Sequence, residues 1–215
     1  MLCARTVALP DLKSERETSL ELASSLEGRP VGGVRRDQAA PAVNNTDLAL
    51  LVLRVAVGVV ISMHGFMKLG WVGKGGSPAG VAGWFDGQLG FKPGIFWAWV
   101  AIFAEALGGV LVALGLGGPL PAAAVTADLV VVTIVAHVPK GFWSTNGGWE
   151  FPVPLAAGAF AVALIGNGAY SLDGVLGLTY PDTLVGAWWI LMAAGVVLVL
   201  ILRAMFAPKA AAKTA

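Results

Sequence analysis

Charge is what this sequence has least of. Only 13% of its 215 residues are charged and 57% are hydrophobic, where a soluble domain carries about 25% charged residues. A folded domain of this size needs a polar exterior, so a soluble globular fold is excluded. The net charge of +1 excludes the strong basic field that recruits nucleic acid. Cysteine is limited to Cys3. Within one chain that rules out a disulfide framework, a cysteine zinc site, a CxxC redox motif and a Cys-ligated iron–sulfur cluster. Histidine is limited to His64 and His137, both in apolar surroundings.

The scarcity is uneven. Of the 27 charged residues, 13 lie in the first 47 positions. Residues 1–47 form a polar tail of mixed sign, with no apolar stretch of the ~7–15 residues a secretory signal needs. The composition predicts a disordered tail, with a weak helix over Lys13–Leu26 as the alternative. The rest of the chain divides at Pro, Gly and Asn into five apolar segments: Leu48–Met67, Ile95–Leu116, Leu120–Val138, Phe151–Ile165 and Thr183–Phe206. A spanning helix needs about 20 residues. Four segments meet that length; Phe151–Ile165 is short and is expected to begin inside a loop, to tilt, or to be surrounded by protein.

Only helices and closed barrels satisfy their backbone in lipid, and these segments lack the two-residue alternation of barrel strands. The expected fold is therefore all-α and integral to the membrane. A four-helix transmembrane bundle occupies 48–173, a loop and a fifth C-terminal transmembrane helix occupy 174–206, and a short basic tail covers 207–215. Gly58/Ser62 and Ala104/Gly108 are small-residue pairs that permit close helix approach. The eight tryptophans are expected to form mostly an interfacial belt.

Ionisable groups inside spanning helices are costly and so are candidates for function. Counting about 1.5 Å per residue from the segment ends sorts them into two layers. Arg54, Glu105 and Asp128 fall in one half of the bilayer, as a guanidinium between two carboxylates with one proton free to exchange. His64 and His137 fall near the opposite face, ringed by Lys68, Lys140 and Glu150, with Phe142, Trp143 and Trp149 as an aromatic wall. The first layer reads either as a register-fixing ion set or as a functional one. The second reads as packing histidines, a quinone or other ring-ligand site, a proton relay, or metal ligation. Two histidines and one glutamate are a poor metal set, and bis-histidine haem would need both rings on opposite faces of a macrocycle, so metal and haem are disfavoured.

Taken in order, Leu53-Arg54, His64-Gly65-x-x-Lys68, Ala104-Glu105-x-x-Gly108-Gly109, His137-x-Pro139-x-Gly141-Phe142, Gly148-x-Glu150-x-Pro152 and Tyr170-Ser171-Leu172-Asp173 resemble the DoxX family. The resemblance covers about Leu48–Asp173. It implies a four-helix protein of the bacterial cytoplasmic membrane, linked to quinol or thiosulfate:quinone oxidoreductase assemblies, in which catalysis by the isolated subunit is not implied. The tail and the fifth segment lie outside it. Orientation stays open. The positive-inside rule puts the histidine face in the cytoplasm, and the resemblance implies the reverse.

The leading expectation is a non-catalytic or co-catalytic subunit of a quinone-linked redox complex, embedded in lipid beside partner subunits. A small-solute or proton-linked carrier and a membrane scaffold are the alternatives.

Overall fold

The computed structural model describes residues 44–74 and 76–206. The expectations for the tail before residue 44 and for 207–215 lie outside the described residues. The described residues are helical, without strands. Helix α1 spans Asn45–Leu69, α2 spans Pro78–Trp84 and runs on as a π-helical turn over Phe85–Leu89. Helix α3 spans Gly94–Leu114 and α4 spans Leu120–Lys140. Helices α5, α6 and α7 follow at Pro152–Ile165, Leu172–Leu176 and Asp182–Phe206.

Helices α1, α3, α4 and α7 are each long and apolar enough to cross a membrane. The 14 residues of α5 rise only about 21 Å, as its short segment predicts. The helix ends follow local chemistry. The Asn44 side chain accepts from the Thr46 amide at 3.0 Å, so α1 begins at Asn45, three residues before the expected Leu48. Gly70 ends it in the left-handed region (φ 78°), sending its amide to the Met67 carbonyl while Trp71 reaches Phe66, a closure that glycine adopts without steric penalty. Ser77 caps α2 through the Gly80 amide at 3.0 Å, with Pro78 in the first turn. Pro152 takes the same position in α5.

Two packed layers make the core. Val57 and Ile61 of α1 meet Val112 of α3, Val125 and Leu129 of α4, and Val162 of α5. Phe85, Leu89 and Phe91, in the stretch from Pro78 to Phe91 termed the α2 hairpin, meet Ala98 of α3 and Val135 of α4. The α2 hairpin was not foreseen as an element. Helix α7 leans on α4 and has no residue buried in protein. It is held by the Trp188 indole donating to the Leu120 carbonyl and the Arg203 Nε donating to the Leu89 carbonyl, both at 3.0 Å. An apolar helix so little covered by protein suits a lipid-facing position.

Candidate functional site

Helices α1 and α3 run antiparallel through small residues. A Cβ at Gly58 would lie 2.5 Å from the Ala113 nitrogen, a Cβ at Gly109 would lie 2.6 Å from the Ser62 nitrogen, and Gly65 lies directly on Ala106. The Gly58/Ser62 pair therefore does allow close approach. Gly108 instead faces Val125 of α4, 3.1 Å from a Cβ placed there.

This register decides which charges meet. Glu105 is level with Phe66, about 18 Å along α1 from Arg54, so the expected Arg54–Glu105–Asp128 layer does not form. Arg54 stands instead at the C-terminal end of α3. It donates to the Ala113 carbonyl at 2.6 Å and to the Tyr170 carbonyl, satisfying a helix-end carbonyl that α3 cannot bond itself. Among the described residues Arg54 makes no ion pair.

Glu105 pairs with Lys68. Both line a cavity of about 890 Å³, together with His64, Asp128 and His137. The cavity thus joins two members of the first expected layer to three of the second. Glu105 and His137 each lie in a π-helical turn, Phe103–Leu107 and Thr133–His137. Such turns insert a residue and redirect the side chains around them. The cavity's aromatic wall also differs from the expected one. Trp84, Phe85, Phe91 and Trp97 contribute from the α2 hairpin and the start of α3, Phe151 from the entry to α5, and Trp188 from α7. At least three tryptophans expected in an interfacial belt therefore line the cavity.

Lys140, Glu150, Phe142, Trp143 and Trp149 stand outside the described lining. Phe142 packs edge-to-face on both tryptophans, 4.9 Å from Trp143 and 4.7 Å from Trp149. They belong to a tight loop in which Trp149 donates to Gly141 at 3.1 Å and Glu150 donates to Phe142 at 2.9 Å. The Ser144 amide donates to the Glu150 carboxylate at 2.8 Å. Together with the Ser144 hydroxyl, that amide holds the Glu150 carboxyl below its ordinary range. The turn Ser144–Asn146 ends at Gly147 (φ 75°), whose carbonyl lies 2.7 Å from His137 Nδ1. A carbonyl only accepts, so Nδ1 donates in this contact.

A second polar group surrounds Asp173, away from the cavity. Its carboxylate accepts from the Gly118 amide at 2.7 Å, the Gly117 amide at 3.1 Å, the Asn167 amide at 2.7 Å and the Tyr180 hydroxyl at 2.8 Å. Burial pushes this carboxyl up, but the four donors outweigh burial and keep it below the usual range. Burial and the neighbouring carboxylate push the Tyr180 hydroxyl up. Asp47 closes the same end by accepting from Ala169 at 2.9 Å. Sequence reasoning included Asp173 only as part of the Tyr170–Asp173 resemblance. The signal that could have found this group is the Gly117-Gly118 pair, whose bare amides suit an anionic acceptor.

The chain carries a DoxX domain: residues 49–138 match that family's model, which supports membership of the DoxX family. The matched stretch holds Arg54, His64, Lys68, Glu105, Asp128 and His137, and stops before the Gly147 loop, α5 and α7. No curated protein and no solved structure matches the chain.

Proposed function

We propose that this DoxX-domain membrane protein binds a quinone in the cavity between its helices, as a subunit of a redox complex in the bacterial cytoplasmic membrane. One observation carries the reading. An aromatic and aliphatic cavity of about 890 Å³ among the spanning helices has the Lys68–Glu105 pair, Asp128, His64 and His137 in its lining. Small-molecule sites measure about 300–1,000 Å³ and combine apolar walls with a few convergent polar groups. A quinone has that division, with ring oxygens at one end and a hydrocarbon tail at the other.

The charged set suits proton traffic at such a ring. Lys68 and Glu105 compensate each other, which lowers the cost of their removal from water. Asp128 is a second carboxylate beside one ammonium, so the set can take up or release a proton while Lys68 stays paired. Electrons would come from a partner subunit, because the sole cysteine, Cys3, cannot hold an iron–sulfur cluster alone. A carrier with Arg54, Glu105 and Asp128 as its midplane site is less well supported, because Arg54 contacts the Ala113 and Tyr170 carbonyls instead.

The test is titration of the full chain in lipid nanodiscs with a short-chain ubiquinone analogue, read by quenching of the cavity tryptophans. Saturable quenching is expected in the wild type. The double variant Lys68→Met/Glu105→Gln removes both charges together and so avoids a lone buried charge; it should bind at least roughly tenfold more weakly, the loss of one or two good hydrogen bonds. Quenching that rises linearly in both proteins would refute the site. Purification in mild detergent with native partners, followed by quinone extraction, tests the complex.

A further inference from the structure

We infer that the cavity also binds an organic cation flanked by apolar groups, such as a quaternary ammonium or a phosphonium, with Asp128 as its counter-charge. This site does not depend on the quinone reading; a charge count carries it. Lys68 and His64 face the cavity from α1, Glu105 from α3, and Asp128 and His137 from α4. Among the described residues, the α2 hairpin, the loop after α4, α5 and α7 present no charged side chain to it. Glu105 engages Lys68. The ammonium keeps further donors, yet its single charge balances a single carboxylate. Helix α4 packs on the π-helical turn that carries Glu105, and Asp128 feels the charges of both Glu105 and Lys68. Among the described residues the Asp128 carboxylate has no ion pair and no hydrogen bond of its own. Free imidazole has a pKa of about 6.5, so at pH 8 the set counts two carboxylates against one ammonium.

An uncompensated charge away from water is costly, so the second carboxylate favours a counter-charge from outside the chain. A proton supplies one and a ligand cation another. The walls decide which cation. A small inorganic ion would have to shed a tight hydration shell, whereas a bulky organic cation gives up little hydration on entering an apolar space. Trp84, Phe85, Phe91 and Trp97 form a chain of rings along one wall, with successive centroids 5.5, 5.7 and 5.7 Å apart, and Trp188 adds an indole from α7. Aromatic faces attract cations within about 6 Å, tryptophan most strongly. A carboxylate alone would take any cation; these rings and a volume of about 890 Å³ select a large apolar one. A quinone would use the same space, so the two ligands exclude one another.

The probes are methyltriphenylphosphonium and triphenylphosphine oxide, which share three phenyl rings on phosphorus and differ in charge. Binding to the full chain in phosphatidylcholine nanodiscs is measured by equilibrium dialysis, with uptake by empty nanodiscs subtracted. A proton competes for the same carboxylate, so the titration is run at pH 8. The cation should bind at least roughly tenfold more tightly than the oxide, the low end for a desolvated charge pair. Asp128→Asn keeps the Lys68–Glu105 pair and should bring the two affinities together. Lys68→Met/Glu105→Gln keeps Asp128 and the same excess of one negative charge, so it should retain the cation preference while losing quinone affinity. Quenching of the cavity tryptophans in the wild-type chain needs no variant: it should saturate with the cation at concentrations where the oxide gives none. Equal binding of the two probes to wild type, no saturable binding of the cation, or a preference that survives Asp128→Asn overturns the inference. Loss of the preference in the double variant with its melting temperature intact overturns it too. Each of these results leaves the quinone titration to decide the quinone site by itself.

Discussion

Gly65 of α1 lies directly on Ala106 of α3, with no space for a side chain between them. This contact fixes the level of Glu105, the residue before Ala106 in α3, and brings it within reach of Lys68, three residues along α1 from Gly65. The ion pair in the cavity wall is therefore a consequence of a glycine.

Enlarging that glycine should separate the helices. Overpacking typically costs about 1–3 kcal/mol, and here the obstruction is backbone, which cannot rotate away. Gly65→Val should lower the melting temperature in detergent and broaden the size-exclusion peak. Gly83→Ala is the control, since a Cβ there meets nothing within 4 Å. Equal melting of Gly65→Val and wild type would show that the close approach does not matter.

Arg54 should prove to be an architectural residue. It is 2% exposed and bridges the end of α3 to the Tyr170 carbonyl. Arg54→Met removes both bonds without leaving a charge, at a cost of roughly 1–3 kcal/mol. The melting temperature should fall, while the quinone-analogue affinity of the surviving folded protein stays within about twofold. A large affinity loss with unchanged melting would assign Arg54 to the ligand site instead.

Asp173 gives a pH signature. Its carboxyl sits below the ordinary 3.8. A carboxyl depressed in the fold contributes stability fully above its unfolded value, near 4, and loses it as pH falls through the folded value. The melting temperature should hold steady from about pH 7 to 5 and fall below about pH 4. Asp173→Asn should start lower at neutral pH and lose less on acidification. Because other carboxylates titrate in both proteins, the difference between the two curves is the quantity to read. A difference that does not change with pH would dismiss Asp173 as the source.

The apolar segments were legible because lipid imposes length and continuity on them, and all five expected segments end within three residues of the observed helices. The α2 hairpin was missed because Pro78–Trp84 is too short to register as a span, although Ser77-Pro78 is a helix-start signal. The charge layers went astray for a geometric reason. Counting from segment ends assumes that neighbouring helices begin on one plane, which sets Glu105 opposite Val59. The small-residue contacts set it opposite Phe66, about 10 Å away. Gly58, Ser62 and Gly109 carried that register in the sequence. The π-helical turns at Glu105 and His137 had no such sign, since they depend on packing more than on local pattern.

Gly195 offers the cleanest way to separate the cavity from the fold. It lies in α7, lines the cavity, and a Cβ placed there meets no protein atom within 4 Å. Its helix is tied at other points, by Trp188 to Leu120 and by Arg203 to Leu89. Gly195→Leu should therefore leave the melting temperature unchanged or raise it slightly, since leucine favours helix over glycine by up to about 1 kcal/mol. The same substitution intrudes on the hydrocarbon part of the cavity, where a quinone tail would lie. Affinity for a decyl-chain quinone should fall severalfold, and affinity for the same ring without its tail should change little. If both ligands bind as they do to wild type, the tail does not pass α7, and the quinone site must be sought without that helix as its wall.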